Sequence, residues 1–303
     1  MIAYLIKIKT MFRFILPTVF LFAFSIECVQ AQDFQQRAKF TGINLGLNGL
    51  ASGIGAVINR GESERSGPVF WKGFKRGLVG GALIDIGMRT TKLINTEQQI
   101  AWAWPARILS SAGNNIVYNA SMNQGWFDEL SFSLYTFRFD YHTKNRKFRI
   151  RLNTMGLASL WLASNKGRLR FDRTIQSGVM TFESSNLVGI GNIQASGLAY
   201  PLAIALDKEV TGYSISNTFA HEMVHILQFD RKSWVRAYVH KTDRKLQERS
   251  KLYKSLSSYI HFDLSAPAVL LTYIITSPQE WTCRVFEQEA DAYSRGFHRG
   301  CSR

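Results

Sequence analysis

The stretch that most restricts the fold runs from Asn217 to Phe229, NTFAHEMVHILQF, because it sets two histidines four residues apart with a glutamate directly after the first. Residues at i and i+4 share one face of a helix, so His221 and His225 can aim their imidazoles at one metal ion. At about 100° per residue, Phe219, Met223 and Ile226 gather on the other side. Such a helix needs a core behind it and a cleft in front. Glu222 is offset round the helix, where its carboxylate faces the cleft as a general base must. Gln228 follows on the ligand side one turn after His225, placed either to line the cleft or to hydrogen-bond locally.

The competing reading is a pair of hydrogen-bonded histidines on an ordinary core helix. With six histidines and twelve glutamates in 303 residues, a random order gives His-Glu-x-x-His about 0.5% of the time. Chance is therefore a weak rival, and a third ligand would weaken it further. A catalytic zinc site takes three protein ligands and a water. His142, His240, His261 and His298 show no linked spacing, whereas the segment SPQEWTCRVFEQEADAYSRG does. Ser277 can cap a helix there, Pro278 suits its first position, Glu280 completes a capping box and Gly296 supplies a stop. Glu287 and Asp291 then share a face. Glu287 is the candidate third ligand, and Asp291 the acceptor for the free ring N–H of a ligating histidine. Glu289 points about 160° from Glu287, which makes it an expected surface charge.

HEMVH followed on a later helix by EQEAD resembles the gluzincin branch of zinc metallopeptidases, in wording closest to the CAAX-prenyl endopeptidase group and its periplasmic bacterial relatives. The resemblance covers residues of about 215 to 295. It implies an α+β, zincin-like metallopeptidase fold with an antiparallel-containing sheet and active-site helices, and one Zn2+ per chain on His221, His225 and Glu287. Asp291 would orient His221. A zinc-activated water, with Glu222 as general base, would hydrolyse peptide bonds in a peptide or protein substrate. The membrane-spanning helices of the prenyl endopeptidases have no counterpart, so lipidated substrates do not carry over. Tyr293, Arg295 and His298 are the candidate oxyanion donors. The rival function is a catalytically idle zinc fold that binds partners in the cell envelope.

Organisation elsewhere bears on where the protein works. Lys7, Lys9 and Arg13 precede an apolar run from Phe14 to Ile26, and Val29-Gln30-Ala31 follows, the layout of a cleaved signal peptide over residues 1–31. The run is short of the roughly 20 residues a spanning helix needs. Export to the periplasm or extracellular space is the expectation. Losing Lys7, Lys9, Arg13 and Glu27 takes the net charge from +15 to +13. A charge of that sign favours peripheral contact with anionic membrane or envelope surfaces, or serves as diffuse solubilising charge, and no nucleic-acid partner is expected. Cys283 and Cys301 are left as a candidate disulfide, worth about 3 kcal/mol if closed; two unpaired thiols remain the alternative.

Residues 32–125 form a Gly-rich N-terminal region, with small residues repeated between Thr41 and Lys92 at spacings that let helices approach closely. The metallopeptidase domain is expected over residues 126–303. Within it LSFSLYTFRFDYH, KFRIRLN and GRLRFD alternate as strands of a sheet wet on one face. Leu198 to Leu206 reads as one further strand, with an edge able to pair an extended peptide. HKTDRKLQERSKLYKS reads as a solvated basic helix face, Leu264 to Thr276 as a buried core segment, and Asn119-Ala120-Ser121 as a glycosylation triplet.

Overall fold

The computed structural model describes residues 31–188, 195–209, 215–263 and 284–295. The expected signal peptide, the Leu264–Thr276 segment, the capping residues from Ser277 to Glu280, Cys283, Gly296, His298 and Cys301 lie outside these residues, save for Ala31. The described chain is α+β, with two four-stranded mixed sheets.

Three helices open it: α1 (Ala31–Ile58), α2 (Ser66–Thr96) and α3 (Ala103–Ser121). Glycines explain how they pack. Gly73, Gly77 and Gly81 turn one stripe of α2 to α1, where a Cβ on Gly73 would sit 2.7 Å from the Ser52 carbonyl and one on Gly77 would collide with that of Asn48. Gly80 and Gly87 turn a second stripe to α3, against the carbonyls of Gly113 and Ala106. Backbones this close leave no room for side chains, so Gly77→Ala should lower stability by about 2 kcal/mol in denaturant unfolding. The inner stripe of α1 is polar: Asn44, Asn48 and Ser52 are buried, while Ile43, Leu47, Leu50, Ile54 and Ile58 form an exposed outer ridge. Residues Arg37–Ile58 are long and apolar enough to cross a membrane, and among the described helices only this one is.

Strands β1 (Glu129–Leu134), β2 (Phe137–His142) and β3 (Lys147–Asn153) pair antiparallel, and β8 (Ile260–His261) joins β3 in parallel. The alternation holds, but the faces are reversed. The register stacks Leu134–Phe137–Leu152, Phe132–Phe139–Ile150 and Leu130–Tyr141–Phe148 in rows on the outward face. Inward, Asp140 is 1% exposed and pairs with Arg138 at 2.8 Å and Arg151 at 2.5 Å. Burial works against its ionised form, yet the two guanidinium groups hold its carboxyl down at about 2. A paired charge network thus takes the place of the expected apolar lining. The free edge of β1 is closed by α3: Asn115 bonds both N–H and C=O of Ser131, and Asn119 those of Glu129. Asn119 is fully buried in this role, which removes it as a glycosylation acceptor.

The second sheet runs β4 (Arg168–Leu169), β5 (Met180–Ser184), β7 (Ala203–Asp207), β6 (Gly197–Tyr200). The single strand expected from Leu198 to Leu206 is therefore a hairpin. Its Leu206 strand, β7, is interior between β5 and β6, and β6 is the edge. Two short helices, α4 (Thr154–Ser164) and α5 (Phe171–Ser177), flank this sheet; Asn153 caps the first through Met155 N–H at 3.0 Å, and Gly178 ends the second at φ 69°. The remaining helices are α6 (Ile215–Asp230), α7 (Val235–Arg249), α8 (Lys251–Tyr259) and α9 (Val285–Ser294). The basic run thus splits into α7 and α8 at Ser250, whose hydroxyl caps the second at Tyr253 N–H.

One of two buried clusters joins these parts, the other lying between α4 and the second sheet around Phe182 and Ala205. Phe40 of α1, Ile84 and Met88 of α2, Ile204 and Leu206 of β7, Phe219, Met223 and Ile226 of α6, and Ala290 and Tyr293 of α9 form a single buried cluster. The boundary expected near residue 125 does not divide two cores.

Candidate metal centre

Helix α6 places Phe219, Met223 and Ile226 in the core with no exposure, so its other face is forced toward α9. There the Nε2 atoms of His221 and His225 lie 3.2 Å apart, Nε2 of His221 is 3.2 Å from Glu287 Oε2, and Nε2 of His225 is 3.5 Å from Glu287 Oε1. Ligands about 2.0–2.1 Å from a tetrahedral zinc are separated by roughly 3.3 Å. His221, His225 and Glu287 each offer a ligand atom within 4.8 Å of the others, a group that could hold a metal ion.

Each imidazole is oriented through its other nitrogen. Asp291 Oδ1 lies 3.0 Å from Nδ1 of His221, and Arg295 in turn sits 3.2 Å from the same oxygen while donating to Asn217 at 2.8 Å. Gln228 Oε1 accepts from Nδ1 of His225 at 2.8 Å. Both Nε2 lone pairs are thereby left facing Glu287.

The electrostatics favour a cation between them. Burial opposes a charged His221, yet Asp291 and Glu287 push it up to about 10. Burial would likewise raise the Glu287 carboxyl, but the two histidines hold it far below the ordinary carboxylate range. The metal-free site therefore carries a proton on His221 at neutral pH. Burial opposes a charged His225 too, yet Glu287 pushes it up, so metal loading should release at least one proton per ion near pH 7, read as a buffer-dependent binding enthalpy in calorimetry. Glu222 differs from the rest: it is buried, and burial pushes its carboxyl up. No hydrogen bond reaches it from the described residues.

Glu289 is not the expected surface charge. At 2% exposure it accepts from Arg231 at 2.8 Å, from Asn44 of α1 at 2.9 Å and from Gln228 Nε2 at 3.0 Å. The opposite side of α9 is also buried, against α1 and α2. The Tyr293 hydroxyl, expected near an oxyanion, instead donates to Asp85 of α2, and burial and Asp85 together push its phenol well up. Arg295 is committed to Asp291 and Asn217.

Two features were not found by motif reading. One is the support of His225 by α1 through Gln228 and Glu289; its only signal is the polar Asn44–Asn48–Ser52 stripe in the apolar C-terminal half of that helix. The other is Gly197 of β6, where an added Cβ would lie 2.7 Å from Cγ and Oε1 of Glu222. Comparison with protein-family models, curated proteins and solved structures found no match to this chain.

Proposed function

We propose that the chain is an exported zinc-dependent metalloendopeptidase of zincin-like fold, acting in the periplasm or outside the cell on peptide or protein substrates. The observation that carries this reading is the convergence of Glu287 on His221 and His225 across 66 residues of sequence, with Asp291 3.0 Å from Nδ1 of His221 and Gln228 Oε1 2.8 Å from Nδ1 of His225. Zinc bound by these three residues would act as a Lewis acid, acidifying water and polarising a peptide carbonyl. Glu222 accepts the proton of the attacking water and delivers it to the leaving amine, and its raised pKa brings it closer to the working range of such a base. Asp291 and Gln228 keep the imidazoles aimed. Among the described residues β6 is the outer strand of its sheet, beside Glu222, and an extended peptide added there would lie alongside the carboxylate.

Metal analysis of the purified protein beside a casein digest, with and without chelator, tests the reading. About one zinc per chain and chelator-sensitive cleavage that returns with zinc are expected. Bound zinc without cleavage would favour the envelope-binding module instead, and absence of any bound metal would sink both.

A further inference from the structure

We infer that the outward face of the β2–β3 hairpin is a docking surface for an anionic phospholipid bilayer. The face cannot turn inward, because the opposite side of the same strands is held by the Arg138–Asp140–Arg151 network. The outward rows leave Phe148 59% and Ile150 53% exposed, with Phe137, Tyr141 and Leu152 also open to solvent. The three aromatic rings alone present on the order of 300 Å² of apolar surface, as large as the biggest patch of many monomers.

Charge selects the occupant. From Lys144 to Arg151 the hairpin reads KNRKFRIR, with no acidic residue; Arg151 is held by Asp140 and Lys144 pairs with Asp128 at 2.6 Å, while Arg146 at the tip and Lys147 and Arg149, which project from the other face of β3, are exposed. Aromatic and aliphatic side chains beside a basic tip match the boundary between acyl chains and negative head groups. A second copy of this chain would bring the same basic rim, and its net charge of +15 opposes close approach. Basic side chains along β3 also discourage strand pairing between copies. The surface is distinct from the metal centre, and the inference stands independently of the proposed hydrolysis.

The test is co-sedimentation of the full chain with vesicles of phosphatidylcholine alone and of phosphatidylcholine mixed with phosphatidylglycerol. Binding to the mixed vesicles only, weakening with added salt, is expected. Arg146→Gln, Lys147→Gln and Arg149→Gln together should lower affinity about a hundredfold, at roughly one elementary contact each. Phe148→Ser with Ile150→Ser should lower it at least about tenfold. Both variants should melt with the wild type. The α1 ridge and the apolar run before residue 31 are unchanged in them and set a common background. On the wild-type chain, mixed vesicles should also slow amide exchange across residues 137–152. Equal binding of wild type and both variants, no preference for the mixed vesicles, or a dimer that the apolar variant converts to monomer without change in vesicle binding would each overturn the inference.

Discussion

Glu222→Gln is expected to abolish peptide cleavage, by about 1,000-fold or more, while zinc content and melting temperature stay at wild-type values. The isosteric amide keeps the volume of the buried side chain but cannot accept the proton of an attacking water. Histidine and Glu287 geometry does not depend on it, because no hydrogen bond from the described residues reaches the Glu222 carboxylate. The elevated pKa also gives a sign for pH dependence. A base must be ionised to work, so activity should fall on acidification and do so at higher pH than an ordinary glutamate would produce. Gly197→Ala makes the same point while leaving the carboxylate chemically intact. The new methyl would overlap Glu222 Cγ and Oε1 at 2.7 Å, and a displacement of about 1 Å at a catalytic group costs on the order of a hundredfold in rate. Both substitutions should separate turnover from metal binding. Cleavage that survives Glu222→Gln would end the assignment of Glu222 as base.

Glu289→Ala is expected to have the largest effect on stability. It leaves the partly buried Arg231 guanidinium without its carboxylate and removes acceptors from Asn44 and Gln228. Breaking a buried ion pair on one side costs about 3–5 kcal/mol, which corresponds to roughly 10 °C in melting temperature for a chain of this size. The consequence should reach the metal as well. Gln228 is held by Glu289 and by the Phe286 carbonyl at 3.0 Å, and it fixes the tautomer of His225. Zinc affinity should therefore fall about tenfold or more, as the loss of a residue that orients a ligand generally produces. Glu248→Ala is the control: its pair with Arg244 is exposed on both sides, and no measurable change is expected. If Glu289→Ala melts and binds zinc as wild type does, Glu289 does not couple α1 to the site.

Legibility differed sharply among these residues, and the differences have physical causes. The geometry of His221, Glu222 and His225, and the apolar set behind them, was readable because helical period is a property of a few consecutive residues. Glu287 and Asp291 were readable as a pair on one face for the same reason. The same helical arithmetic took Glu289 for a surface charge, and spacing did not select among Tyr293, Arg295 and His298 as oxyanion donors. The arithmetic gives the direction of Glu289 around α9 correctly but carries no information about whether solvent or α1 and α2 lies there. Sheet reading shows the same split: the alternation in β1, β2 and β3 was plain, while the assignment of wet and dry faces was inverted.

The sequence by itself determined the local geometry of this protein: which residues share a helix face, which strands alternate, and where glycine permits two backbones to touch. Tertiary structure decided what each face meets. It brought Glu287 to 3.2 Å from His221, turned Glu289 and Tyr293 into a buried polar layer, and set Phe148 and Ile150 outward. The reason is that periodicity is fixed by backbone geometry within a turn or a pleat, whereas burial is fixed by long-range pairing. Here charged networks around Asp140 and Glu289 outweighed the usual preference for apolar residues inside.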